Sequence, residues 1–213
     1  MLGIVAPMAD EPRGASPVVH REGPATAKRA QVQAQVLAAT ERLLGEGASY
    51  AELNVERIAR AAGISRTAFY FYFKDKRDLL MRLAGAITDE LYHQADTWFS
   101  GDGDPEAEIR AALTEVRALY DAHGVLIRAV VEVSTYDEEI ARFWRGLLTR
   151  FVNATQRRIE EQAAPVPPRA TAFALIWMVE RTYYEQLVQD DPIPADELIA
   201  ALAGVFLRTI YGR

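Results

Sequence analysis

Apolar residues recur along most of this chain with the period of an α-helix. Val32, Val36, Ala39 and Leu43 form one stripe of an amphipathic helix over 26–46, which Gly45 and Gly47 stop. Leu79, Leu80, Leu83, Ile87 and Leu91 share a face of a longer helix running from Lys76 to residue 100. Gly101-Asp102-Gly103-Asp104-Pro105 breaks the pattern. Helices over 106–122 and 125–134 follow, separated at His123-Gly124. Asp137 caps another over 138–162, which Pro165, Pro167 and Pro168 end. The last two run over 168–189 and 194–211, with Asp190-Asp191-Pro192 between them. No pair of alternating strands with a hairpin turn is visible. The pattern predicts an all-α fold of nine helices without internal repeats.

The most informative stretch is a tight pair of short helices over 54–73. Asn54 is a good N-cap for the first and Ser65 for the second. Gly63 sits between them, where a left-handed backbone costs least without a Cβ. Ala59 and Ala62 are small enough to let the helices cross closely, and Ile58, Ile64 and Phe69 bury the joint. This is the sequence form of a helix-turn-helix. The second helix is too short to be stable alone, so the helices at 26–46 and 76–100 must brace it. Phe69 and Phe73 read as core.

The polar residues of that second helix suit a DNA groove. Arg66 and Thr67 lie in its first turn and Tyr70 one turn on, and recognition helices contact base edges through their N-terminal residues. Arg66 fits a guanine edge and Thr67 a thymine methyl. Tyr70 and Tyr72 carry hydroxyls that can reach phosphate, and Lys74 and Lys76 stand at the next helix start. Asn54 and Ser65 would also point toward the DNA backbone. An ordinary surface lysine is an equal reading of Lys74.

Total composition stands against this reading at first sight. The 213 residues carry a formal net charge of −6, whereas most DNA-binding domains are basic. The charges are unevenly placed, however. Residues 24–77 hold 9 Lys+Arg against 5 Asp+Glu, and residues 78–213 hold 13 against 22. A small basic segment is thus joined to an acidic body, although the asymmetry taken alone is equally compatible with chance. Residues 1–25, rich in Pro, Gly, Ala and Ser, read as a disordered tail in which Met1 and Met8 are both candidate starts. There is no cysteine, and His20, His93 and His123 are far apart. No metal, cofactor or catalytic motif is expected. His123 reads as a helix-end residue. No secretory signal or membrane span is visible, and a cytoplasmic location is expected.

Ile58-Ala59-x-x-Ala62-Gly63-Ile64-Ser65, followed by Phe69-Tyr70-x-Tyr72-Phe73-x-x-Lys76-x-x-Leu79-Leu80, resembles the TetR family of bacterial transcriptional regulators over residues 30–90. The resemblance implies a three-helix DNA-binding domain over 26–77 and a helical ligand-binding and dimerisation domain over 78–213. It also implies a homodimeric repressor of double-stranded operator DNA, released by a small molecule. The family's phosphate-contacting lysine falls on Lys76 and its recognition-helix tyrosine on Tyr70. Arg77 stands where the family often has an acidic residue, and is expected to add basic charge. The body, through His123-Gly124, Arg128-Ala129, Trp144 and Glu180-Arg181-Thr182, is diffusely similar to the ethionamide-monooxygenase repressor branch of that family.

The body is rich in aromatic residues, and aromatic cavities with few polar groups suit small apolar ligands. Phe143, Trp144, Phe151, Trp177 and Val179 are the candidate pocket residues. Ile176 and Val179 stand where the similar repressor has asparagines, which favours a more apolar effector. The helix over 168–189 is apolar nearly all round, so it should be buried on all faces. With 194–211 it is expected to form half of an intersubunit four-helix bundle. The alternative is an all-α carrier or enzyme for hydrophobic molecules, with the helix pair serving only as a packing device.

Overall fold

The computed structural model describes residues 24–189 and 193–212, except the side chains of 24–26, 94 and 97. The expected disordered tail lies mostly outside these residues, as do Met8, His20 and the Asp190-Asp191-Pro192 break. The described chain is helical: α1 (Pro24–Gly45), α2 (Val55–Ala61), α3 (Arg66–Tyr72), α4 (Lys76–Ser100), α5 (Pro105–Val133), α6 (Glu138–Glu161), α7 (Pro168–Val188) and α8 (Ala195–Phe206), with a π-helical turn over Leu207–Tyr211. The first helix therefore begins two residues before the expected start at 26.

Side-chain caps set several of these helices. Asn54, Ser65, Asp75, Asp104 and Asp137 each accept a backbone N–H in the first turn of α2, α3, α4, α5 and α6. Val36, Leu43, Ile58, Phe69, Phe73, Leu79 and Leu80 are buried where α1, α2, α3 and the start of α4 meet. The Phe69 and Phe73 rings lie 5.2 Å apart, so both are core as expected.

The expected break at His123-Gly124 is present as a kink between two helical stretches, taken together as α5. His123 has φ −120° and ψ 20°, and helical geometry resumes after it. Gly124 packs closely on α7, where a Cβ would lie 2.9 Å from Leu187 Cδ2 and make that side chain shift. α5 is the hub of the body, touching α1, α4, α6, α7 and α8.

In the single chain, α7 has one buried face and one open face. Ala172, Leu175, Glu180, Tyr183 and Gln186 point inward, while Phe173 is 56% exposed, with Trp177 stacked 5.9 Å from it. Val205 of α8 is also exposed. No helix among the described residues is long and apolar enough to cross a membrane.

Candidate nucleic-acid interface and ligand cavity

The turn between α2 and α3 is a Schellman motif. Gly63 has φ +71°, its N–H donates to Arg60 O at 3.1 Å, and the N–H of Ile64 donates to Ala59 O at 3.0 Å. Arg42 adds a donor from α1 to Ala61 O at 3.0 Å, placing a cation at the C-terminus of α2. α3 is thus fixed against two neighbours even though it has only seven residues.

Phe69 turns inward from α3, so Arg66, Thr67 and Tyr70 face solvent together. Tyr72 is half-buried and Lys74 is exposed. Asn54 Oδ1 accepts from the Arg57 N–H at 2.9 Å and Ser65 Oγ from the Ala68 N–H at 3.0 Å. The two caps are therefore engaged in shaping the helices. Phe71 is 73% exposed on the same short helix, a feature the sequence pattern did not single out.

Lys76 and Arg77 are placed differently from expectation. The Lys76 ammonium donates to Tyr50 O at 2.8 Å, Leu53 O at 2.9 Å and Ala51 O at 3.3 Å, and lies 4.7 Å from the centre of the Tyr50 ring. Those three carbonyls match its three N–H donors, and burial lowers its pKa. The Tyr50 hydroxyl donates back to Lys76 O. Lys76 is therefore a clasp between α4 and the loop before α2. Arg77 does not add free positive charge to the reading head. It pairs with Asp137 at 2.7 Å and Glu139 at 2.8 Å, at the start of α6.

At the other end of α4 lies a cavity. Its walls come from α4 (Leu91, Ala95, Trp98, Phe99), α5 (Ile109 to Tyr120), α6 (Leu148, Phe151), α7 (Ile176, Val179, Glu180) and Phe206 of α8. Its volume is about 70 Å³. It is narrow as it stands. A second cavity of about 30 Å³ shares Leu91, Tyr120, Leu148 and Phe151 with it and adds Trp144.

Of the five expected pocket residues, Phe151 and Val179 line the main cavity and Trp144 the neighbouring one. Phe143 and Trp177 line neither. Phe143 packs over Gly85 of α4, and Trp177 lies with Phe173 on the outer side of α7. The reason is helical phase: Ile176, Val179 and Glu180 share one face, and Trp177 falls about 100° from Ile176.

Glu180 has no signal of its own in the sequence beyond the resemblance. It is 3% exposed and is the one charged residue in the cavity wall, and its carboxylate oxygens meet no donor other than the Trp144 indole N–H. Burial raises its pKa, with the charge of Arg181 and the indole of Trp144 acting against the rise. The hydroxyl of Tyr120, in the same wall, is also pushed up by burial and by Glu180. Among the described residues no cluster of His, Asp or Glu is arranged to hold a metal ion.

Residues 36–83 match the family described as bacterial regulatory proteins, tetR family. Residues 109–212 match the C-terminal domain of the transcriptional regulator EthR. The HTH-type transcriptional regulator EthR of Mycolicibacterium smegmatis is 34% identical over 192 residues, covering 84% of this chain and 86% of the relative. The EthR regulator of Mycobacterium tuberculosis is 29% identical over 186 residues, covering 83% and 86%. In fold, a Syntrophomonas wolfei protein assigned to the TetR family superposes with a TM-score of 0.72 at 16% identity, covering 86% of this chain and 96% of that one. A helix-turn-helix head carried on an EthR-like helical body places this chain in the TetR family of transcriptional regulators.

Proposed function

We propose that this chain is a homodimeric repressor whose paired α3 helices enter successive major grooves of operator DNA, and that it leaves the operator when a small apolar molecule enters the cavity. The observation that carries this reading is the placement of two sites on one element. α4 begins beside the reading head, at the Lys76 clasp, and its far half walls the cavity. Its 25 residues span roughly 37 Å at the α-helical rise.

Arg66, Thr67 and Tyr70 are the base- and backbone-reading side chains of the proposed interface, with Lys74 on phosphate. Asn54 and Ser65 hold their helices in position, and Tyr72 supports the edge of the contact. Lys76 acts by fixing the head on α4. Phe173, Trp177 and Val205 supply apolar surface for the partner subunit, on α7 and the C-terminal helix.

The narrowness of the cavity supports a mechanism. A molecule of more than a few atoms must push its walls apart, and one of those walls is α4. Such a ligand binds the widened arrangement better than the closed one, and that differential affinity shifts the population. Widening that tilts α4 changes the spacing of the two heads in a dimer, which is matched to half-sites roughly one helical turn apart.

Footprinting on the DNA upstream of its own gene tests the reading. A protected, two-fold symmetric site that Arg66→Ala abolishes is the expected result. Protection without symmetry, or protection indifferent to Arg66, removes it.

A further inference from the structure

We infer that Phe71, on the outer ridge of α3, is a specificity-determining residue that reads thymine through its C5-methyl group, so that each operator half-site carries a thymine opposite this ring. This rests on the proposed reading of α3 as the helix that enters the major groove, and adds what the apolar part of its surface recognises.

The phase of α3 is set by Phe69, whose side chain is wholly buried. At about 100° per residue, Thr67 and Phe71 each fall about 160° from it. They are four residues apart, hence neighbours on one face, and both are exposed. Arg66 and Tyr70 lie to one side of this ridge. Phe71 is more exposed than any other large apolar side chain among the described residues. Among those residues it joins no apolar cluster and stacks on no ring, whereas Tyr70 leans edge-on against Phe69 with 5.6 Å between ring centres. Phe69 and Phe73, two residues to either side, are the rings that pack the head. A ring left in water adds nothing to the fold, because apolar stabilisation comes from surface removed from water.

The direction of the ridge selects its occupant. A side chain in the middle of a face that enters the major groove meets base edges. Guanine, adenine and cytosine present hydrogen-bonding groups there, and thymine alone adds a methyl group. A phenyl ring can neither donate to nor accept from a base edge, so against the first three it displaces water without replacing its hydrogen bonds. Against thymine it covers the methyl, and both apolar surfaces leave water together. Thr67, one turn earlier, extends the same ridge with its own methyl, while Arg66 and Tyr70 keep polar reading beside it.

Uracil scanning tests the assignment. In the protected DNA upstream of the gene, each thymine is replaced in turn by uracil, which removes the methyl and keeps the hydrogen-bonding edge. Anisotropy titrations of the full chain are expected to show binding about fourfold weaker at one position in each half-site, the effect of one buried carbon group. Phe71→Ala should bind thymine and uracil duplexes equally at that position and melt as the wild type does. Wild-type binding indifferent to uracil throughout the site overturns the methyl contact, and leaves α3 as the reading helix where Arg66→Ala still abolishes protection. Sensitivity that survives Phe71→Ala also overturns it, and loss of that sensitivity in Thr67→Ser gives the methyl to Thr67 instead. Absence of any protected site removes the reading of α3 itself, and the role of Phe71 with it.

Discussion

Glu41 Oε1 on α1 and His123 Nδ1 at the bend of α5 lie 2.7 Å apart. The contact ties the reading head to the hub helix of the body, at the one residue where α5 leaves helical geometry. Arg77 makes a second tie, from the start of α4 to Asp137 and Glu139. Head and body are thus joined by polar contacts at two places besides the continuous α4.

Loss of the first tie should loosen communication more than folding. His123→Ala is expected to lower stability by about 0.5–1 kcal/mol, since the pair is partly exposed. The factor by which effector weakens operator binding should shrink about fivefold, the size of a modest coupling energy. Operator titrations with and without effector measure it. An unchanged factor would show that the Glu41–His123 contact carries no signal.

Lys76 and Arg66 should separate stability from recognition. Lys76→Met removes three hydrogen bonds to the carbonyls of Tyr50, Ala51 and Leu53. It should destabilise the protein by about 2–3 kcal/mol and weaken operator and random DNA alike. Arg66→Ala leaves the melting temperature in place and reduces discrimination between operator and random DNA. Thermal melts paired with competition binding distinguish the two.

The pH dependence of stability divides into two windows. Burial opposes ionisation of Asp78 and Asp137, yet contacts with Arg82 and Lys74 for the first, and with Ile140 N–H and Arg77 for the second, hold both below the usual carboxylate range. Their contribution is present above the unfolded Asp value and is lost as pH falls through their depressed values, so it disappears below about pH 4. Glu180 has the opposite sign. Its raised pKa makes it a destabilising group once pH climbs above the ordinary Glu value of about 4.3. Glu180→Gln should therefore melt a few degrees higher than wild type at pH 7 and equally at pH 4. A lower melting point at pH 7 would show that Glu180 has a stabilising partner.

Phe173→Asp places a charge in the outer apolar face of α7 and should convert the proposed dimer to monomer without unfolding it. Sedimentation and circular dichroism together check this. A dimer that persists would put the interface elsewhere.

Much of this architecture was legible in the sequence because it rests on local rules. Gly63 and the caps Asn54 and Ser65 mark the helix pair through backbone geometry that few residues satisfy. The kink at His123-Gly124 is legible as well, since a glycine interrupts the helical pattern there, whereas its close approach to Leu187 depends on tertiary packing. Trp177 and Phe143 were misplaced because an aromatic residue on an apolar helix carries no label for which neighbour it faces. Lys76 and Arg77 are adjacent cations, and only tertiary contacts show that one clasps a loop and the other bridges to the body. Glu180 went unremarked as a cavity residue because a lone carboxylate in a chain with 30 acidic residues has no local signal of burial.

The central claim is that the exposed face of α3 binds DNA through charge and specific contacts. Anisotropy titrations of the upstream DNA over a series of salt concentrations test it most directly. The account predicts that log K falls linearly with log salt, steeply enough to show several phosphates neutralised, and that Arg66→Ala with Tyr70→Ala abolishes the specific component. Affinity that is flat with salt, or unaffected by that double substitution, would contradict it.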